Sequence, residues 1–300
     1  MNKVLLTGAN GFLGKEIIKT LENELKFFTL SRNFGDYQIS LDKQIPNFEE
    51  SFDLIIHAAG KAHTVPRTES QKKEFYEVNV LGTQNLLLGL EKKDFPNYFV
   101  FISSVSVYGK KFGCNINEDY MLNAKDAYGL SKIEAERIIT NWCTRNNVIC
   151  TILRLPLLVG KNPPGNLGQM IKAIEDGYYF NIGGGRARKS MVLAKDVASF
   201  IKMAITKGGI YNLTDGFNPT FGELSLAISQ NRKIKKPLNL PEIVAQFMGK
   251  IGDLLGAKAP INSVKVKKIT SDLTFDDSKA RTNLGWNPQS VVDYIINNDI

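Results

Sequence analysis

One short segment restricts this chain more than any other. The apolar run Val4-Leu5-Leu6-Thr7 passes directly into Gly8-Ala9-Asn10-Gly11-Phe12-Leu13-Gly14, and an amphipathic stretch at 12–23 follows. Strand, Gly-x-x-Gly-x-x-Gly turn and helix in that order form a specific backbone device. Glycine, lacking a Cβ, permits the tight turn, lets backbone approach a pyrophosphate and lets the helix pack closely on the strand. The helix N-terminus adds partial positive charge where phosphates would lie. The segment therefore predicts a dinucleotide site at Gly8, Asn10, Gly11, Phe12, Leu13 and Gly14. Without its flanks the same turn would be an ordinary β-α connection.

The pattern repeats along the first half. Further strands are expected at Phe27 to Leu30, Leu54 to His57, Phe99 to Ser103 and Ile149 to Leu153, alternating with helices at 71–92 and 127–146. Strands this continuously apolar belong in a parallel sheet covered on both faces, so an α/β, doubly wound fold is expected. After Arg154, Pro156, Pro163, Pro164 and Gly165 punctuate a loop, and Leu167, Met170, Ile171 and Ile174 then recur at helical spacing. We expect residues 1–157 to form the dinucleotide-binding domain. Residues 158–300 then form a smaller, mainly substrate-binding C-terminal lobe, with segments near 190–225 as candidates to return to the first domain.

Composition narrows the function classes. With 43% hydrophobic and 23% charged residues, the chain is neither disordered nor fibrous. No run approaches the roughly 18 apolar residues of a transmembrane segment, and the opening residues lack a secretory pattern, so a cytoplasmic location is expected. Cys114, Cys143 and Cys150 are widely spaced, and His57 and His63 are the only histidines, so no metal is expected. The net charge of +8 suits nucleic acid or a phosphate-bearing small ligand equally. Without a basic recognition helix or aromatic stacking motif, nucleic acid is not expected as a partner.

The second predicted strand ends in Ser31-Arg32, where a site for NAD would usually carry a carboxylate for the ribose hydroxyls. A guanidinium beside a small hydroxyl suits a 2′-phosphate, so NADP is favoured over NAD. Downstream, Tyr128 and Lys132 stand four residues apart on one face of a predicted helix. A nearby ammonium is expected to lower the tyrosine pKa from about 10 toward the range useful for proton transfer. Ser103-Ser104 closes a predicted strand, the edge at which doubly wound sheets bind ligands.

These residues carry a family resemblance. Thr7 to Gly14, His57-Ala58-Ala59-Gly60, Asn79-Val80-x-Gly82-Thr83, Ser103-Ser104-x-x-Val107-Tyr108-Gly109 and Tyr128-x-x-x-Lys132 occur in order. Leu153 to Pro156, Val192 to Asp196, Tyr211-Asn212-Leu213 and Leu284-Gly285-Trp286 extend the match over essentially the whole chain. Together they resemble an extended short-chain dehydrogenase/reductase, with a Rossmann domain, of the nucleotide-sugar epimerase/dehydratase group. The resemblance implies that Ser104 binds the reacting oxygen, Tyr128 exchanges its proton, and Lys132 tunes the tyrosine and holds the nicotinamide ribose. It implies cofactor contacts at Ser31, Arg32, Ala58, Ala59, Gly60, Asn79 and Leu155. A homodimer through the 71–92 and 127–146 helices is implied by the same analogy.

Dehydratases of this group usually carry Thr-Asp-Glu where this chain has Ser104-Val105-Ser106, which disfavours water elimination. Reduction of a 4-keto nucleotide sugar, UDP-linked by resemblance, ranks first, because a reductase commonly uses NADPH. An NAD-dependent 4-epimerase ranks second, and a non-catalytic dinucleotide sensor on the same fold is the alternative of another class. Candidate substrate residues are His63, Ser106, Arg186, Arg188 and Lys189, the last standing where relatives keep an arginine for the diphosphate. The apolar residues of 241–255 are read as core or subunit packing ahead of peripheral membrane attachment.

Overall fold

The computed structural model describes residues 3–62, 64–256, 262–298 and 300. The first half forms β1 (Lys3–Thr7), α1 (Phe12–Leu21), β2 (Lys26–Ser31), β3 (Tyr37–Gln38), β4 (Leu54–His57) and α2 (Glu69–Tyr76). It continues through α3 (Gly82–Leu90), β5 (Tyr98–Ser104), β6 (Gly113–Ile116), α4 (Ala127–Arg145) and β7 (Ile149–Leu155). The second half contains β8 (Leu157–Val159), α5 (Gly165–Glu175), β9 (Phe180–Ile182), β10 (Met191–Leu193), α6 (Ala194–Ala204), β11 (Gly209–Asn212) and α7 (Phe221–Asn231). It ends in β12 (Leu238–Leu240), α8 (Glu242–Leu255), α9 (Ser263–Thr270), β13 (Leu273–Phe275), α10 (Ser278–Leu284) and α11 (Val291–Asn297).

Seven parallel strands make the main sheet in the order β11-β7-β5-β4-β1-β2-β3. Strand side chains alternate between two cores. Val4, Leu6, Leu54, Ile56 and Val100 pack with α1 and α6, whereas Leu5, Ile55, Phe99 and Phe101 pack with α3 and α4. Both faces are thereby covered, and the sheet is doubly wound. The chain runs outward from β1 to β3 and then crosses back to β4 on the other side of β1. That reversal opens a crevice at the carboxyl ends of β1 and β4.

Two details, a break in one helix and the packing of α8, depart from the sequence reading, and the return of β11 to the main sheet falls within the 190–225 stretch named for it. The expected 71–92 helix is interrupted by a π-turn at Glu77–Leu81, between α2 and α3. Strand β11 pairs with β7 in the main sheet, and Trp286 and Ala280 also pack into the core beneath α6, so the later chain contributes to both halves. A separate cluster joins α5, α7 and α11 through Leu167, Ile171, Leu224, Ile228, Val291 and Ile295. Finally, α8 is not packed into a core by its large side chains. Only Ala245, Gly249 and Gly252 face inward.

Candidate active site

The crevice is assembled by close backbone approach. Gly8 sits at φ 74°, and a Cβ there would lie 2.7 Å from the Ala59 amide nitrogen. At Gly14 a Cβ would lie 2.2 Å from the Gly8 carbonyl oxygen, so helix, turn and the Ala58-Ala59 segment can meet only without side chains. Gly11 is the N-cap of α1 and supplies no side-chain cap, which leaves the first-turn amides without the usual internal acceptor. This cradle fits a pyrophosphate. Leu13 is buried beneath the turn, and Phe12 packs against Gly160.

At the end of β2, Asn10 Nδ2 donates to Ser31 Oγ at 2.9 Å, which ties the glycine turn to the strand that would flank the adenosine ribose. Arg32 is exposed beside it. Asp36, four residues on, is turned back onto β2, accepting from Thr29 N and Oγ1 at 2.7 and 2.8 Å. Those donors hold its carboxyl below the usual range despite some burial. The carboxylate is thus committed to Thr29.

Helix α4 starts at the Asp126 cap, which accepts from Gly129 N at 3.0 Å. A Cβ on Gly129 would lie 2.8 Å from the Ser106 carbonyl, so glycine lets this first turn settle against the segment after β5. Tyr128 is thereby delivered beside Ser104. Burial raises the Tyr128 pKa, and its hydrogen bond with Ser104 pulls the other way. The expected lowering by Lys132 is not what this arrangement produces. Lys132 Nζ instead donates to Ile102 O at 2.8 Å and lies 4.5 Å from the Phe101 ring centre. Burial brings Lys132 down to about 8, with Glu136 opposing the shift. The amine also borders Gly60, where an added Cβ would lie 3.4 Å from Nζ and 3.1 Å from Asn79 Oδ1.

Asn79 occupies the π-turn and is 2% exposed. Its amide accepts from Lys61 N at 2.7 Å and donates to Lys61 O at 3.1 Å and Ser131 Oγ at 2.8 Å. Ser131 in turn donates to Tyr128 O at 2.7 Å. The extra residue of the π-turn aims one side chain at both walls of the crevice; such turns are frequent at functional sites. A second chain of bonds lies beneath. Thr83 Oγ1 spends its proton on Asn79 O at 2.7 Å, so His57 Nε2–H donates to Thr83 at 2.9 Å. His57 Nδ1 then accepts from Thr7 Oγ1 at 2.7 Å, and Thr7 accepts from Ala59 N at 3.1 Å. Burial lowers the His57 pKa to about 3, so this imidazole is neutral.

Sequence reasoning missed the polar seam under α4. Arg154 Nη2 donates to Glu136 Oε2 at 2.8 Å with both side chains nearly fully buried, and Ser103 Oγ donates to the same carboxylate. Arg154 Nη1 also reaches Tyr108 Oη at 3.1 Å, and Tyr108 donates to Asn212 at 2.8 Å. A signal existed: a charged residue inside the apolar strand Thr151 to Leu155 demands a partner, and Glu136 stands one turn beyond Lys132.

The substrate candidates are less gathered. Ser106 Oγ is 3.2 Å from Ser104 Oγ, inside the site. Leu155 is buried at the end of β7. Arg186 and Arg188 are exposed, and Arg188 Nη1 donates to Asn218 O at 3.1 Å. Lys189 Nζ donates to Lys268 O at 3.1 Å and Ser271 O at 2.8 Å, capping the end of α9, and burial lowers it to about 8. His63 lies outside the described residues.

With this geometry established, the chain can be set beside known proteins. The profile of the NAD dependent epimerase/dehydratase family matches residues 4–214. The chain is 28% identical to an Escherichia coli O157:H7 N-acetyl-α-D-glucosaminyl-diphospho-ditrans,octacis-undecaprenol 4-epimerase, over 94% of this chain and 89% of that one. It is 29% identical to a GDP-6-deoxy-D-mannose reductase of Pseudomonas aeruginosa over 47% of each. The structure of a Thermotoga maritima UDP-glucose 4-epimerase with UDP-glucose superposes with a TM-score of 0.75 at 19% identity, covering 98% of this chain and 96% of that one. The cradle, the strand-end serine, the tyrosine and lysine of α4 and the matched profile agree: this chain belongs to the NAD dependent epimerase/dehydratase family of nicotinamide-dependent enzymes.

Proposed function

We propose that this chain reduces the 4-keto group of a diphosphate-linked sugar, a nucleotide sugar in the first instance, at the expense of NADPH. The observation that carries the reading is Tyr128 held beside Ser104 at the mouth of the crevice, with burial keeping its phenol protonated at neutral pH. A nicotinamide, when bound, would supply the hydride for the sugar carbon. Ser104 holds the substrate oxygen, and Tyr128 donates its proton to that oxygen as negative charge develops. Lys132, with its pKa at about 8, is mostly cationic at pH 7 and would hold the nicotinamide ribose. Gly8, Asn10, Gly11, Phe12, Leu13 and Gly14 would hold the pyrophosphate, Ser31 and Arg32 the 2′-phosphate. Ala58, Ala59, Gly60, Asn79 and Leu155 would line the nicotinamide half. Ser106, Arg186, Arg188 and Lys189 would face the sugar and its diphosphate, and pairing of two copies across α2 to α4 belongs to the same reading.

A second reading, 4-epimerisation, is favoured by the Escherichia coli relative of nearly full length. The two separate on cofactor balance. UDP- and dTDP-linked 4-keto sugars incubated with NADPH or NADH should consume NADPH in step with product. Interconversion of C4 epimers with no net cofactor consumption would replace the first reading by the second. Failure to bind either nicotinamide would end both.

A further inference from the structure

Helix α8 is turned inside out. A surface helix ordinarily buries its bulky apolar stripe and shows polar residues to water. Here the inward face consists of Ala245, Gly249 and Gly252, and Gly249 lies directly against Ser263 and Val266 of α9. The bulky residues point out: Ile243 is 81% exposed, Phe247 65%, Leu254 89% and Leu255 68%. At 100° per residue, these four and the exposed Val244, Met248 and Ile251 span one continuous arc, while Glu242, Gln246, Lys250 and Asp253 occupy the adjoining flank. No helix among the described residues is long and apolar enough to cross a membrane, so a spanning role is not available to it.

Charge identifies the occupant. Residues 232–268 hold nine Lys and Arg against two acidic residues, a surplus of seven, whereas the whole chain has a surplus of eight. Most of the protein's positive excess therefore lies in the stretch of sequence that carries this helix and α9. Lys235 and Lys236 before it, Lys250 on it, and Lys267 and Lys268 on the adjoining α9 are exposed. Two copies of so basic a face would repel each other, and an uncharged apolar partner would leave the lysines unmatched. An anionic lipid surface satisfies both, taking phenyl and leucyl groups below the headgroups and lysines at the phosphates.

We propose that α8 is an interfacial helix that seats this protein on an anionic bilayer, with Phe247, Leu254 and Leu255 inserted and the surrounding lysines at the headgroups. The proposal goes beyond the reaction above and does not depend on it. Lys189, the candidate diphosphate ligand, caps α9 through Lys268 O and Ser271 O, so the seated helix and that residue belong to one connected unit.

The test uses the full chain and vesicles of phosphatidylcholine alone or with phosphatidylglycerol. Partition onto the anionic vesicles should be at least tenfold stronger than onto neutral ones and should weaken as salt is raised. The double variant Phe247→Glu with Leu254→Glu should lose at least tenfold in partition, while circular dichroism and melting stay unchanged because both side chains are exposed. In a separate Phe247→Trp variant, emission should shift to the blue and be quenched by brominated acyl chains; Trp142 and Trp286, being buried, form a constant background. No partition of the wild type onto anionic vesicles at low salt would overturn the proposal. So would partition unaffected by the glutamates, an unquenched tryptophan, or a dimer that the glutamates split in a protein without vesicle binding, which assigns the face to a second copy.

Discussion

The seam beneath α4 and the outer face of α8 break the same rule in opposite directions. In the seam, Glu136, Arg154 and Asn212 are almost entirely buried where apolar side chains would pack. On α8, leucine and phenylalanine stand in water where lysine and glutamate would be ordinary. Each inversion has a physical cost, desolvation in one case and exposed apolar area in the other. The difference lies in what closes the account. The seam is satisfied within the chain, because every polar group meets a named partner between β7, α4 and β11. The α8 face has its complement outside the chain. A buried polar network therefore marks where the fold holds a site rigid, and an exposed apolar helix marks where it presents a surface.

Substitutions can break that comparison at either end. The largest effect is expected at Arg154→Met, which leaves Glu136 buried without its cation and should cost about 3–5 kcal/mol in a urea titration. Little change would mean the seam is hydrated and not rigid. Next is acid stability. His57 binds its proton far less readily in the folded chain, at about 3, than at its ordinary value of 6.5. Its contribution is thus fully present above about 6.5 and is withdrawn as pH falls toward 3, because the unfolded chain then takes up more protons. His57→Gln should start less stable at pH 7 and show a shallower acid slope. Asn79→Ala removes three hydrogen bonds and takes both partners from the Lys61 backbone, which should cost about 1–3 kcal/mol. Its turnover should fall further than its stability. At the smallest end, Phe247→Ser should change unfolding free energy by no more than about 0.5 kcal/mol, since that ring is 65% exposed. A large loss there would place the ring in a folded contact and erase the contrast.

Much of this could be read in the sequence, and the exceptions have physical causes. The glycine turn is legible because only glycine fits its contacts, and Tyr128 and Lys132 because helical spacing fixes their shared face. The π-turn at 77–81 left no trace, since the helical periodicity runs on through it. Strand β3, of two residues, is too short for alternation to be recognised, and β11 is bounded by a glycine and an asparagine, residues depleted in strands. The apolar pattern of α8 predicted an amphipathic helix but carried no information about which side would face the protein. The direction of the Tyr128 shift was likewise hidden, because it depends on burial and on where the Lys132 amine turns.

The central claim is that Tyr128 moves the proton in a crevice that binds a nicotinamide dinucleotide. Tyr128→Phe measures it most directly, with turnover of a 4-keto sugar diphosphate and NADPH affinity read on the same preparation. Turnover should fall by about 10²- to 10⁴-fold while NADPH affinity stays that of the unaltered chain. Turnover equal to that of the unaltered protein would contradict the claim.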